Sequence, residues 1–292
     1  MRHLVYFSPV FYLITVICAN NLVCSAEVGS VAYQVNQQIE WVQIPSGKFL
    51  MGSTAEEIES FYKEAQLRSS TLDRHTFEAE RPQRWVVLSN FEISKYEITN
   101  AQYRSFVEAT HRPIPRGRKG ESVWQDESMN QNHQPVVGIT WYDAQAFAEW
   151  IGASLPSEAQ WERVARGEYG FRYPWGNAPP TRTSANFARR HQSTVTVGTY
   201  PEGDTAEGVS DMAGNVWEWC LDAYDPHFYA TSKEQNPVNQ HDRNFLEDRV
   251  IRGGSWIYGR IFMRSALRFK FYPLSTANDV GFRVVRQVAN ER

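Results

Sequence analysis

A single domain that mixes short strands with short helices is what this sequence predicts, and three observations carry the prediction. The chain has 292 residues, 42% of them hydrophobic and 14% aromatic, enough to bury one large core. Strand-type alternation and helix-type apolar spacing both occur, always in short stretches separated by Gly, Pro and Asn. No repeat at solenoid or propeller spacing and no low-complexity linker divides the chain.

The first segment is not part of that domain. Arg2 and His3 precede an apolar run from Leu4 to Cys18, and the small residues Cys24-Ser25-Ala26 precede Glu27. This order predicts a secretory signal peptide over 1–26 and export to the periplasm, leaving a domain over 27–292. Ser8 and Pro9 interrupt the apolar run, so a membrane span is the poorer reading, with an uncleaved anchor and peripheral membrane association left open. Cleavage removes Cys18 and Cys24, and Cys220 alone forms no internal disulfide. The formal net charge of −3 and the absence of a basic run outside the proline-containing loop Arg112 to Lys119 exclude a nucleic-acid footprint.

Along the domain, Glu40 to Pro45 and Lys48 to Met51 are apolar runs across a Gly-containing turn, which predicts a hairpin. Glu56 to Arg81 is charged and helix-permissive, a surface helix and loop before the strand Trp85 to Leu88. Thr99 or Asn100 caps a helix with Tyr103, Phe106 and Val107 on its apolar face, ending near Thr110. Thr140 with Asp143, and Ser157 with Gln160, form capping boxes for two more helices stopped by Gly152 and Gly167. Further strands fall at Arg249 to Arg252 and Gly281 to Val285. The long irregular stretches Arg112 to Gln134, Ala178 to Thr194 and Asp222 to Asp248 exceed ordinary connections, so they carry function or are pinned.

Eight motifs occur in an order that resembles the formylglycine-generating-enzyme (sulfatase-modifying-factor) family. They are Ile44 to Ser53, Tyr96-Glu-Ile-Thr-Asn100, Pro135 to Ala144, Leu155 to Glu162, Tyr173-Pro-Trp-Gly-Asn177, Asp211-Met-Ala-Gly-Asn-Val-Trp-Glu-Trp219, Arg252-Gly-Gly-Ser-Trp256 and Gly281-Phe-Arg283. The resemblance spans nearly the whole domain and implies an α+β fold, a C-type-lectin-like variant with little regular structure. Most of these residues read as fold rather than chemistry. Trp141, Trp161, Trp175, Trp217, Trp219 and Trp256 fill core with their indole N–H groups on nearby carbonyls, and Asn100 and Asn177 serve as turn or cap residues.

Family enzymes that oxidise a substrate cysteine hold Cu(I) through two cysteines after Gly-Gly-Ser, because the soft ion prefers thiolates. Counted from Gly253-Gly254-Ser255, those positions fall on Tyr258 and Met263, and no cysteine follows Cys220. The resemblance therefore implies a member without copper and without formylglycine-generating activity. Cys220 beside Trp219 reads as a buried hydrophobe. A structural Ca²⁺ site is implied at the side chains of Asp211 and Glu218 and the carbonyls of Gly214 and Val216, hard oxygen donors on a tight turn. A second family calcium site begins at Asn186 and Phe187 but lacks its later Asp-x-Phe portion.

Two functions follow from the resemblance. One is a non-catalytic periplasmic binding or regulatory protein similar to TagR, which activates type VI secretion threonine phosphorylation. The other is a non-heme metal oxidase acting on a small molecule or peptide, similar to PvdO of pyoverdine maturation. For the first, the family's substrate groove passes Tyr258, Arg260, Phe262, Arg264 and Arg268, aromatic and guanidinium groups suited to an exported or membrane-anchored protein partner. The plainer reading of those five residues is one strand with a wet face.

Overall fold

The computed structural model describes residues 29–68, 72–240 and 246–288; the signal-peptide expectation for 1–26 lies outside them. A helix over 29–38 (α1) leads into strands β1 (Trp41–Ile44) and β2 (Gly47–Met51), then helices α2 (Ala55–Leu67) and α3 (Arg74–Glu78). Next come β3 (Arg84–Leu88), β4 (Phe91–Ser94), α4 (Asn100–Thr110), α5 (Trp141–Trp150) and α6 (Glu158–Arg166). The chain continues through β5 (Trp217–Ala223), α7 (Phe228–Thr231), β6 (Arg249–Arg252), β7 (Phe269–Phe271), β8 (Val280–Gly281) and β9 (Val285–Gln287). Among the described residues these strands form three small sheets, ordered β1-β4-β9, β2-β3 and β7-β6-β5-β8.

The expected hairpin between the first two strands does not form. β1 lies antiparallel to β4, with Trp41 opposite Ser94, whereas β2 lies antiparallel to β3, with Gly47 opposite Leu88. Pro45 and Ser46 are the reason. A two-residue hairpin needs positive φ at its first central position, and the proline ring fixes φ near −65°. Gly281 to Val285 is likewise not one strand: β8 joins β5 in one sheet and β9 joins β4 in another. Between them the backbone crosses from sheet to sheet and carries Arg283 into the interior.

The local signals for helices are realised. Thr99, Thr140 and Ser157 each accept from the backbone N–H three residues on, while the Gln102, Asp143 and Gln160 side chains accept from the cap's own N–H. Each cap stabilises its helix by about 1 kcal/mol. The inner faces meet in an aromatic core: Tyr103 stacks on Phe147 at 5.7 Å, and Phe282 meets Phe147 edge-on at 5.4 Å. Trp141, Trp161, Trp217, Trp219 and Trp256 are buried. Trp175 is not core: it is half-buried, stacked on Tyr173, with its indole donating to the Ala178 carbonyl.

Buried amides and carboxylates pin the three long loops. Asn100 is more than a cap, donating to the Met129 and Gln131 carbonyls and accepting from the Trp124 indole. Asn186 holds the second loop through Ser193 and Asn215. Asp222 accepts from the Asn239 N–H at 2.8 Å and the Glu158 N–H at 2.8 Å, tying the third loop to the start of α6.

Candidate functional site

Four arginines and three glutamates form an ion-pair framework in the interior around α6. Arg252 donates to Glu158 and Glu162, both at 2.7 Å. Arg268 grips both oxygens of Glu158 at 2.7 and 2.8 Å, and Arg166 reaches Glu162 at 3.2 Å. Arg264 pairs with both oxygens of Glu80 at 2.9 and 2.6 Å and lies over the Phe61 ring. Burial works to raise the Glu158 carboxyl, and the charges of Arg268 and Arg252 more than reverse it, so its pKa falls below the ordinary value.

This framework corrects two expected surface residues. Arg264 and Arg268 are 1% and 0% exposed, so they do not line a groove. A guanidinium enters a core only with a carboxylate beside it, and here Glu80 and Glu158 bring that partner from distant segments.

The remaining members of the expected groove stay at the surface. Tyr258 and Phe262 are half-buried with ring centres 4.6 Å apart, and Tyr258 meets Trp217 at 5.8 Å. Burial and the Asp279 charge raise the Tyr258 phenol, against Arg189 and Arg118. Arg260 is half-exposed and donates to Glu64 at 2.9 Å, beside Arg172 on the same carboxylate. Burial raises Glu64, but the two guanidinium hydrogen bonds outweigh it and bring the pKa down to about 2. Met263 is fully buried against Gly254, where a Cβ would stand 2.2 Å from its methyl carbon. Cys220 lies in another part of the core, packed with Met212 and Trp161, and burial holds its thiol well above the ordinary range.

The second charged centre is the turn from Asp211 to Glu218. Asp211, Gly214 and Asn215 have φ of 59°, 87° and 57°, and at Gly214 a Cβ would come within 2.5 Å of the Asn186 carbonyl. Such a left-handed turn, tightly packed, needs glycine at that point. Glu218 is buried; its Oε2 accepts from Trp161 Nε1 at 2.7 Å and Arg283 Nε at 2.6 Å, and its Oε1 from Arg283 Nη2 at 2.7 Å. Asp211 Oδ2 accepts from the Gly198 N–H at 2.6 Å.

Glu97, which the sequence reading did not single out, completes the centre. It is 1% exposed and accepts from Asn215 Nδ2 at 2.9 Å and the Val216 N–H at 3.3 Å. Burial first, then the charges of Asp211 and Glu218, push its carboxyl well above the ordinary range. Asp211 is pushed up to about 6 by burial, despite the Gly198 N–H and Arg283. The motif that holds Glu97, Tyr96 to Asn100, is visible in the sequence, but the folding back of that segment onto residues more than a hundred positions away is not.

The donor chemistry fits a calcium ion. A carboxylate oxygen carries two lone pairs, so Glu218 Oε1, with one donor, and Asp211 can each serve a cation beside the Gly214 and Val216 carbonyls. Asn186 Oδ1 is buried with no hydrogen-bond donor among the described residues, and Asn186 packs directly on this turn. Among the described residues no three His, Cys, Asp or Glu side chains are grouped as a metal site. An ion here would therefore rest on two side chains and backbone carbonyls.

Against known proteins, residues 28–288 match the sulfatase-modifying factor enzyme 1-like domain. The formylglycine-generating enzyme of Streptomyces coelicolor is 31% identical over 297 residues, covering 83% of this chain and 87% of that one. The serine/threonine-protein kinase pkn1 of Chlamydia caviae is 35% identical over 251 residues; 85% of this chain matches 38% of the kinase. Among solved structures, PvdO from Pseudomonas aeruginosa shares the fold with a TM-score of 0.68 at 25% identity, over 86% of this chain and 95% of PvdO.

Proposed function

This chain belongs to the sulfatase-modifying factor enzyme 1-like family, and we propose that within it the protein works by binding a partner and not by copper oxidation of cysteine. The observation that carries this is the pair of residues at the copper positions. A phenol at Tyr258 and a thioether at Met263, fully buried behind Gly254, replace the two thiolates that Cu(I) chemistry needs. What faces outward instead is contact surface: the Tyr258–Phe262 ring pair and the Arg260 guanidinium fixed by Glu64. Preordered aromatic and Arg side chains lose little freedom on docking, which favours their use as anchors.

The partner is an exported or membrane-anchored protein, a reading supported by the signal-peptide pattern of residues 1–26. The match to part of a protein kinase supports service to a phosphorylation pathway, such as one attached to type VI secretion. Calcium bound by Asp211, Glu218 and the Gly214 and Val216 carbonyls would hold the turn behind this surface, in a structural role.

Purified mature protein supplied with Cu(I), oxygen and a sulfatase-type cysteine peptide is expected to leave the thiol intact by mass spectrometry. Conversion to formylglycine would end the reading. Oxygen consumption with bound iron and a small-molecule substrate would favour an oxidase in its place.

A further inference from the structure

Glu97 is a buried carboxylate that belongs neither to the ion-pair framework around α6 nor to the contact surface. Its backbone is clamped: the Ile98 N–H donates to the Phe282 carbonyl at 2.9 Å and the Ile98 carbonyl accepts from Val136 at 2.8 Å. Just before it, the Ser94 and Lys95 carbonyls accept from Arg283. Both Glu97 oxygens point at one short stretch, through the Asn215 amide and the Val216 N–H. Asn215 stands between the two residues whose carbonyls the calcium reading uses.

We propose that Glu97 is the positioning residue of the calcium turn: it holds the Gly214 and Val216 carbonyls in place through Asn215 and Val216 and supplies the third negative charge around the ion. The inference rests on the calcium reading above. Charge balance favours it. Glu97, Asp211 and Glu218 are three buried carboxylates, and Arg283, on Glu218, is the cation set among them. With Asp204 also acting on Asp211, the carboxylates outnumber the guanidinium, and a divalent ion offsets more of that excess than a second guanidinium would. Because both Glu97 oxygens accept from N–H groups of the turn itself, it acts from behind the turn and not as a ligand. Residues that orient ligands in this way typically change metal affinity by about 10- to 100-fold when replaced.

The test is calcium titration of the metal-free mature protein, by calorimetry and by thermal melts, for wild type, Glu97→Gln, Asn215→Gly and Asp211→Ala. The glycine keeps the left-handed backbone and removes the amide, with its bonds to Glu97, Val195 and Asn186. The calcium Kd is expected to rise about 10- to 100-fold in Glu97→Gln and to rise also in Asn215→Gly, with binding abolished in Asp211→Ala. A purely structural Glu97 would lower the melting temperature equally with and without calcium and leave Kd unchanged, which overturns the proposal. Should Glu97→Gln fail to fold, Asn215→Gly decides: an unchanged Kd there overturns it equally. Absence of calcium binding by wild type contradicts the calcium reading itself, a result distinct from either.

Discussion

The two buried charge centres are made of the same residue types in opposite proportion. Around α6, Arg166, Arg252, Arg264 and Arg268 face Glu80, Glu158 and Glu162, so every carboxylate has at least one guanidinium. Around the turn at 211–218, Arg283 is, among the described residues, the guanidinium set against Glu97, Asp211 and Glu218, with Asp204 adding its charge beside Asp211. The first is complete within the chain and replaces the regular packing that short sheets cannot provide. The second lacks positive charge and has acceptor capacity to spare, which is the condition for drawing in a cation.

The largest effect that would break this comparison lies in the framework. Arg252→Ala leaves Glu158 and Glu162 with reduced compensation at 0–1% exposure. Removing one partner of such a buried set costs about 3–5 kcal/mol, expected as a matching loss in urea denaturation, with no rescue by calcium. A loss below about 1 kcal/mol would show that the framework is not what holds the fold.

A smaller effect follows from Asp222, next to the framework. Burial, then the Glu158 charge, push its carboxyl up from 3.8 to about 7. With the folded value above the unfolded one, the group costs nothing below about pH 4, and stability falls as pH rises from there through 7. Asp222→Asn should flatten the decline measured between pH 5 and pH 8, a change on the order of 2 kcal/mol. An unaltered slope would assign the decline to other groups.

At the surface the effect on stability should be smallest. Tyr258→Ala and Arg260→Ala, both at partly exposed positions, should each cost within about 1 kcal/mol in denaturant melts. Crosslinking to the proposed partner should nonetheless fall sharply. Undiminished crosslinking in the double variant would move the contact surface elsewhere.

What could be read from the sequence follows how local each cause is. The helix caps at Thr99, Thr140 and Ser157 were legible because the bonding partner stands three residues away. Arg264 and Arg268 were misplaced on the surface because their partners are 184 and 110 residues distant. Likewise the pairings of β1 and β2 depend on strands beyond α3, so adjacency in sequence suggested a hairpin that Pro45 disfavours. At the candidate site, Asp211 and Glu218 stood out through the resemblance alone. Glu97 did not, since its hydrogen bonds cross 118 and 119 residues.

The most direct measurement is calorimetric titration of calcium into the metal-free mature protein at neutral pH. One ion per chain is expected to bind, with the melting temperature rising as calcium exceeds Kd, by about 2.7 kcal/mol of added stability at a hundredfold excess. Asp211→Ala should give no binding heat and no shift. A wild-type protein that gives neither would contradict the claim that the turn at 211–218 is built to be completed by a cation.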